Sequence, residues 1–302
     1  MVKWRWGGLA LCCGVLLAAC GDPQETAYQP QLADSGGKQS VEYVVGIHPL
    51  HNPQRLVEVY GPILDEIGAA IPAASFRLEA SRNYEEFEKK LYAGQFAFAM
   101  PNPYQTVRSL KHGYRIFGKQ GDDSTFRGIL LVRKDSGIRA VSDLKGKAVS
   151  YPAATALAAT MMPQHYLHTH GLDINRDIEN RYVGSQESSI MNVLRGHVAA
   201  GATWPVPWKI FDAEHPDLAS QLEVKWQTTT LPNNGWVVRQ DVPATLADAF
   251  ARQLFSLQES EAGRRLLARV PVSRYEPADE ETYRPVREFL ANFSRTVRPI
   301  NY

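Results

Sequence analysis

Two threonines, Thr155 and Thr160, stand on either side of a run of small and apolar residues that begins at Ala156. The run follows a short strand-like stretch at residues 147–151 and opens an amphipathic helical pattern, with no Asp or Glu between residues 148 and 172. The first turn of a helix carries unpaired N–H groups and partial positive charge, which attract anions. The pattern therefore predicts an anionic or polar ligand near Thr155 and Ala156. The alternative is a buried strand-to-helix connection whose small residues allow close packing.

A second chemical possibility is the histidine group His165, His168 and His170. Imidazole is the commonest protein ligand of transition metals, and the first two residues share a helix face. The group lies at the end of the helical pattern, where histidine interacts favourably with the helix dipole, and far from the loop end of the preceding strand. We therefore predict a capping role, with no metal and no cofactor.

Sequence motifs of common enzymes are missing. The chain has no G-x-S-x-G, no H-E-x-x-H, no P-loop and no glycine-rich dinucleotide turn. Acidic residues such as Glu85, Glu86 and Glu88 fall on predicted helix faces beside basic residues, as is typical of solvated surface. We expect a protein that is not an enzyme.

The amino-terminal residues predict export. Two basic residues precede an apolar run at residues 9–19 that is too short to span a bilayer stably, and Cys20 follows directly. The sequence LAAC that ends at Cys20 resembles a bacterial lipobox, in which the cysteine becomes the lipidated first residue. We interpret residues 1–19 as a lipoprotein signal peptide and residues 20–40, which are polar, as a flexible tether. An ordinary signal peptide is the alternative.

Cysteine and charge content exclude further classes. All three cysteines lie at or before Cys20, so the rest of the chain has no thiol and no disulfide. The 33 Lys and Arg residues nearly balance the 32 Asp and Glu residues. A near-neutral chain lacks the basic face of a nucleic-acid-binding protein, and we predict no nucleic-acid partner.

The elements that must position these residues alternate between strand and helix. Strand-like runs occur at residues 41–47, 75–79, 96–100, 147–151, 181–184 and 200–204. Helical spacings of apolar residues separate them, and helices are predicted near the carboxyl terminus at residues 246–257, 259–270 and 281–293. This alternation is typical of parallel α/β architecture, in which ligands bind at the carboxyl ends of the strands.

A family resemblance is carried by four segments in this order: VGIHPLHNPQRLVEVYGPILDEI, NYEEFEKKLYAGQFAFAMPNPYQTVRS, LKGKAVSYPAATALAATMMPQHYLHTHGLD and GSQESSIMNVLRGHVAAGATW. The chain resembles the phosphate, phosphite and phosphonate type of periplasmic substrate-binding protein of ABC transporters. The resemblance implies an α/β, two-lobed type II periplasmic-binding-protein fold, with two doubly wound sheets joined by two crossing hinge strands. Ligand would lie between lobes that close by hinge motion. Lobe one would hold residues 41–123 and 236–302, and lobe two residues 124–235.

In lobe one the resemblance implies a set of hydrogen-bonding residues. Family members commonly have a tyrosine at the start of the second helix, matched by Tyr84, and a polar loop after the third strand, matched by Asn102 and Tyr104. These side chains can donate hydrogen bonds to an oxyanion. The loop after the first strand adds His48 at the same strand ends. Packing is the alternative role for Tyr84, which shares a helical stripe with apolar residues.

In lobe two the chain departs from the family pattern. A Ser-Thr-Ser-Gly cluster of the family falls at residues 156–159 in a gap-free alignment on Pro163, and its hydroxyls are missing here. A seat made of backbone amides can survive this change, whereas most side-chain donors cannot. A family histidine falls at Gln186. The positions that hold the ammonium of aminoalkyl phosphonates, near residues 205–206 and 233–234, have no acid, so that ligand is not expected.

Aromatic and amide side chains take the place of these groups. The residues expected near the cleft are Trp204, Trp208, Trp236, Gln186, Asn233 and Asn234. Aromatic surface with a few polar groups suits a partly apolar ligand or a small organic anion better than bare phosphate. Trp204 is the strongest candidate because it ends a strand and precedes Pro205, although packing is the alternative role for each tryptophan.

Two functional hypotheses fit this organisation. The first is a lipid-anchored periplasmic receptor that captures a small anion or polar organic ligand and delivers it to an ABC permease. The second is a binding protein of the same fold that presents its ligand state to a membrane histidine kinase or receptor. A metal-binding lipoprotein and a structural lipoprotein with a degenerate cleft are further alternatives. We expect a monomer that reaches the membrane only through its lipid anchor.

Overall fold

A computed structural model describes residues 40–302. The predicted signal peptide, the lipidation site Cys20 and the tether up to residue 39 lie outside the described residues. The strands are β1 (Val41–Ile47), β2 (Ala74–Glu79), β3 (Phe98–Met100), β4 (Tyr114–Gln120), β5 (Ile129–Arg133), β6 (Ala148–Tyr151), β7 (Glu179–Tyr182), β8 (Ala200–Thr203), β9 (Leu222–Gln227), β10 (Gly235–Arg239) and β11 (Tyr275–Pro277). The helices are α1 (Pro53–Ala69), α2 (Tyr84–Tyr92), α3 (Pro103–Ser109), α4 (Met162–Thr169), α5 (Gln186–Leu194), α6 (Pro205–Glu214), α7 (Pro216–Ala219), α8 (Ala244–Ser256), α9 (Glu261–Arg269) and α10 (Arg284–Thr296).

The strands form two separate mixed sheets. The first has the order β11-β4-β10-β3-β1-β2, in which β1 is parallel to β2 and β3, and β10 is antiparallel to β3 and β4. The second has the order β7-β6-β8-β5-β9, in which β6 is parallel to β7 and β8, and β5 is antiparallel to β8 and β9. We call the first sheet with its helices lobe one and the second lobe two.

The chain crosses between the sheets twice, at residues 121–128 and 228–234. Polar contacts hold the two crossings together: Asn233 donates its side-chain amide to Gly121 O at 2.8 Å, and its backbone amide to Asp123 Oδ1 at 2.9 Å. The buried ammonium of Lys119 lies 2.8 Å from Asp123 and 2.5 Å from Glu276. A charge at this depth is stable only when paired and hydrogen-bonded, so these contacts fix the base of both crossings.

The core of lobe one is aromatic and includes a residue expected at the cleft. Trp236 has no exposed surface and packs on Phe250 and Tyr275, with ring centroids 5.7 and 5.9 Å away. The prediction that Trp236 lies near the cleft is therefore wrong, because this face of β10 points into the core. Trp208 is also directed elsewhere, since it stacks on Phe211 in a small cluster of lobe two.

The carboxyl-terminal segment contacts both lobes. We call residues 297–302 the C-terminal strap. On lobe one, Tyr104 donates its hydroxyl to Asn301 O at 2.5 Å. On lobe two, Arg298 donates to Ala154 O at 2.6 Å and to Gln164 Oε1 at 3.0 Å. The strap thus ties the two lobes beside the crossings. Within residues 40–302 no helix is both long and apolar enough to cross a membrane.

Candidate functional site

Both lobes line a small cavity at the carboxyl ends of their strands. The lining residues are His48, Tyr84, Asn102, Phe126, Ala156, Leu157, Ala158, Ala159, Gln186, Trp204 and Asn234. The enclosed volume is about 10 Å³, which is the room that one water molecule needs. A ligand of several heavy atoms can therefore enter only when the walls move apart. Of the residues predicted to bind ligand, all but Tyr104 and Thr155 lie in this lining.

His48 follows β1 and is held in one protonation state. Its Nδ1 lies 3.0 Å from Met100 O, and a carbonyl oxygen only accepts, so Nδ1 carries the proton. Burial lowers the pKa of His48 from 6.5 to about 4, and the ring is neutral at physiological pH. The remaining nitrogen, Nε2, has a free lone pair and no hydrogen-bond partner among residues 40–302.

Tyr84 begins α2 directly after Asn83, whose side chain caps the helix by accepting from Glu86 N at 2.9 Å. The Tyr84 hydroxyl accepts a hydrogen bond from Gln186 Nε2 at 3.2 Å across the cleft. Burial raises the pKa of Tyr84, so the hydroxyl keeps its proton. That proton is available to a ligand oxygen in the cavity.

Asn102 caps α3 and also bridges the lobes. Its Oδ1 accepts from Gln105 N at 3.2 Å, and its Nδ2 donates to Thr155 O at 3.1 Å. Both ends of the Asn102 side-chain amide are therefore hydrogen-bonded. Thr155 contacts Asn102 through its backbone carbonyl and does not belong to the cavity lining.

The lobe-two wall includes the start of a helix. A wide helical turn at Leu157–Met161 continues into α4, and its first internal hydrogen bond runs from Met161 N to Ala156 O at 3.2 Å. The amide N–H groups of residues 157–159, which line the cavity, precede that bond and have no acceptor among residues 40–302. We call these three groups the amide seat. Unpaired amides at a helix start, with the helix dipole behind them, attract anions.

Close packing fixes the amide seat from behind. Thr160 donates its hydroxyl to Ala153 O at 2.7 Å, which ties the turn to the loop before it. Gly128, in the first crossing, lies so close that a Cβ atom there would stand 2.5 Å from Ala158 O. The small residues of this wall are therefore consistent with both predictions, the closely packed connection and the anion site, because close packing positions the amides.

Trp204 and Phe126 form the apolar part of the lining. Their ring centroids are 5.7 Å apart, and both side chains are almost fully buried. Trp204 lies where the sequence predicts it, at the end of β8 and the start of α6. Phe126 was not predicted as a lining residue; it lies near the end of the crossing at residues 121–128, before β5.

No ionised side chain belongs to the cavity lining within residues 40–302. Outside the lining, the half-buried Glu88 accepts from Gln105 Nε2 at 3.0 Å, and Arg108 lies 3.9 Å from Glu88. Burial raises the pKa of Glu88. An anion in this cavity would therefore be stabilised by backbone dipoles and hydrogen-bond donors, because no lysine or arginine belongs to the described lining.

Two other predicted groups have structural partners. Tyr104 lies outside the cavity, because its hydroxyl contacts the C-terminal strap. In the histidine group, Nδ1 of His170 lies 2.7 Å from Tyr166 O, as in a helix end, and His165 Nε2 lies 3.0 Å from Asn292 Nδ2 on α10. Within residues 40–302 no three histidine, cysteine or acidic residues form a group that could hold a metal ion.

A wider groove lies outside the cavity and shares Gln186 with it. Its volume is about 330 Å³, with Leu50 and Arg55 on one side and Pro207 and Phe211 on the other. These residues come from lobe one and lobe two respectively, so the groove is the mouth of the cleft.

The fold and the sequence define a class of extracytoplasmic binding protein. Residues 45–283 match the family described as the periplasmic substrate-binding protein of phosphonate ABC transporters, and the chain belongs to that family. Members of the family are solute-binding proteins of the periplasm. The resemblance inferred from the four sequence segments is confirmed.

Solved structures confirm the type II two-lobed fold. A binding protein component of an ABC phosphonate transporter from Pseudomonas aeruginosa has a TM-score of 0.77 and 17% identity, covering 85% of this chain and 88% of that one. PhnD1 from Prochlorococcus marinus, in complex with methylphosphonate, also has a TM-score of 0.77 and 17% identity, with 86% and 99% covered. A Xanthomonas citri protein bound to ATP has a TM-score of 0.68 and 17% identity, with 85% and 98% covered.

A curated relative belongs to a different class of protein. The tetrathionate sensor histidine kinase TtrS of Salmonella typhimurium is 23% identical over 176 residues, which is 54% of this chain. The match spans only 28% of the kinase. The similarity therefore concerns one portion of a much longer protein.

Proposed function

We propose that this chain is a lipid-anchored periplasmic receptor that captures a small oxyanion or small organic anion and delivers it to an ABC permease. The observation that carries the proposal is the amide seat, which lines the same cavity as Tyr84. Donors from both lobes would converge on the ligand, so binding would stabilise the closed arrangement of the lobes. Lipid attachment at Cys20 rests on the lipobox-like sequence LAAC.

Ligand binding is tested by thermal shift and titration calorimetry on the purified chain. The probes are methylphosphonate, phosphate, sulfate, tetrathionate and a neutral alcohol of similar size. A ligand that binds only the folded state stabilises it by about 2.7 kcal/mol when the free ligand is at a hundred times its Kd. This stabilisation raises the melting temperature. We expect a response to at least one oxyanion and none to the alcohol. No thermal shift and no binding heat with any of the anions would contradict the proposal.

Membrane attachment is tested separately with Cys20→Ser. The unmodified chain should sediment with membranes, and the variant should appear in the soluble periplasmic fraction. Cys13→Ser is the matched control, because it lies in the apolar run before the lipobox. Continued sedimentation of Cys20→Ser would contradict lipid anchoring without affecting the ligand proposal.

A second candidate function is sensing, and the match to the tetrathionate sensor kinase favours it. In that case the chain would present its closed state to a membrane kinase. The same ligand panel separates the candidates: a response confined to tetrathionate favours sensing, whereas a response to phosphonates or phosphate favours transport.

A further inference from the structure

Two residues that line the cavity with the amide seat, His48 and Asn234, carry hydrogen-bond acceptors. His48 Nε2 presents a lone pair, because Nδ1 donates to Met100 O at 3.0 Å. The ring lines the cavity and is 2% exposed. A neutral imidazole in this tautomer can only accept at Nε2, so it favours a hydrogen-bond donor on the ligand.

Asn234 supplies the second acceptor from the hinge. It is 1% exposed, lines the cavity and donates Nδ2 to Gln120 Oε1 at 2.7 Å. Its Oδ1 is buried without a hydrogen-bond partner among residues 40–302. A buried polar atom left unpaired costs about 1–3 kcal/mol, and a donor on the ligand would remove that cost.

The charge balance of the site limits the ligand further. The amide seat supplies partial charges only, and no lysine or arginine belongs to the lining within residues 40–302. A dianion would therefore be poorly compensated, and it would also place lone pairs against His48 Nε2 and Asn234 Oδ1. A monoanion that keeps one hydroxyl can accept hydrogen bonds from the amide seat and donate one to His48 Nε2 or Asn234 Oδ1.

We propose that the cavity selects a protonated oxyanion, whose charged oxygens accept from the amide seat while its hydroxyl donates to His48 Nε2 or Asn234 Oδ1. This inference rests on the proposed function and narrows its ligand class. A hydrogen phosphonate or similar acid monoanion fits, and a fully deprotonated oxyanion of the same shape does not. Phe126 and Trp204 leave an apolar side for a small substituent.

The imidazoles near the cavity stay neutral over the pH range that matters. Tyr84 faces the His48 ring from α2, with centroids 6.2 Å apart, and His51 and Arg55 approach from the start of α1. Burial also lowers the pKa of His51, to about 4. Glu88 lies further along α2, and burial raises its pKa. Any change of the Glu88 charge with pH acts on both probe anions, so a change in phosphonate affinity that a proton-free anion does not share reports the ligand.

The test compares methylphosphonate with methanesulfonate by titration calorimetry on the full chain. The two have the same shape, but the sulfonate carries no proton in this range. We expect phosphonate affinity at least about tenfold higher than sulfonate affinity near pH 6, falling about tenfold per pH unit above the second ionisation of the phosphonate. Equal affinities, or phosphonate affinity that rises with pH, would overturn the selection and leave the proposed function standing. Binding of neither, with a response to another oxyanion of the panel, would also overturn the selection alone, whereas no response to any anion of the panel would overturn both.

Variants locate the acceptors. His48→Phe should lower methylphosphonate affinity about tenfold and leave methanesulfonate unchanged, whereas His48→Gln, which keeps an acceptor, should restore most of the difference. His112→Phe is the control, because that ring stacks on Tyr92 away from the cavity. Asn234→Leu gives an independent second variant. Equal losses for both ligands in His48→Phe and Asn234→Leu would mark these residues as packing groups and overturn the proposal.

Discussion

The two lobes contribute different kinds of hydrogen-bonding group to the cavity. Lobe one presents side chains, chiefly His48, Tyr84 and Asn102, each placed by a strand end or a helix start. Lobe two adds the amide seat, which is formed by backbone N–H groups at residues 157–159, to the side chains of Gln186 and Trp204. A side-chain donor can be removed by one substitution, whereas a backbone donor persists when its side chain is replaced. Backbone donors are therefore compatible with the absence of the hydroxyls that the family resemblance implies at residues 156–159.

The largest effect expected is the pH dependence of lobe one. The pKa of His48 is about 4 in the folded protein and 6.5 ordinarily, so protonation favours the unfolded chain. His48 thus contributes stability that is full above about pH 6.5 and is lost as pH falls toward about 4. The loss is on the order of 3 kcal/mol, and His51 acts in the same direction. Denaturant unfolding at several pH values measures it.

His48→Gln is the variant that isolates this effect. It should roughly halve the loss of unfolding free energy as the pH falls, because His51 still titrates. The rest of the pH dependence should remain. A slope identical to that of the unmodified chain would contradict the role assigned to His48.

The backbone of lobe two is tested by Leu157→Pro. Proline removes one amide N–H of the seat, and Ala156 before it already has an extended conformation that tolerates proline. Leu157→Ala is the matched control, since it removes the same side chain and keeps the amide. A hydrogen bond to a charged group contributes about 1.5–3 kcal/mol, so Leu157→Pro should bind anions roughly ten- to a hundredfold more weakly than Leu157→Ala. Equal affinities, measured by calorimetry, would exclude this amide from binding.

The side-chain wall of lobe one is tested by Tyr84→Phe. Loss of the hydroxyl should weaken anion binding by about 1 kcal/mol, or roughly fivefold, because one donor is lost. Tyr92→Phe in the same helix is the control, since the Tyr92 hydroxyl is buried without a hydrogen-bond partner among the described residues. If both variants bind as well as the unmodified chain, Tyr84 is a packing residue.

The smallest effect expected concerns the tie between the lobes. Arg298→Ala removes two hydrogen bonds from the C-terminal strap to lobe two. The lobes should then open more readily, and small-angle scattering without ligand should give a slightly larger radius of gyration. Arg295→Ala is the control, because Arg295 donates only within its own helix, to Asn292. An unchanged radius for Arg298→Ala would show that the strap does not restrain the lobes.

Strand ends and helix starts explain why much of the site could be predicted from sequence. Strand-helix alternation placed His48, Asn102 and Trp204 at strand ends, and the structure brings them into one lining. Such positions are fixed by local patterns of apolar residues and by capping side chains. The two-lobed fold was predicted from the family resemblance, which rests on four segments in a fixed order.

Other residues depend on contacts that no local pattern encodes. The face of β10 that turns Trp236 into the core is set by packing against Phe250. Tyr104 reaches the C-terminal strap through a contact between residues 197 positions apart. Phe126 lies near the end of the first crossing, and its place in the cavity lining depends on how the two sheets are joined. Tertiary packing decided each of these three.

The central claim is that both lobes hold an anion in one cavity, and Trp204 offers the most direct measurement. Its indole belongs to the lining, whereas that of Trp208 does not. Titration with methylphosphonate should change the intrinsic fluorescence of the unmodified chain and of Trp208→Phe in a saturable way, and Trp204→Phe should lose most of the change while calorimetry still detects binding. A full fluorescence response in Trp204→Phe, with binding intact, would place the ligand elsewhere and contradict the account.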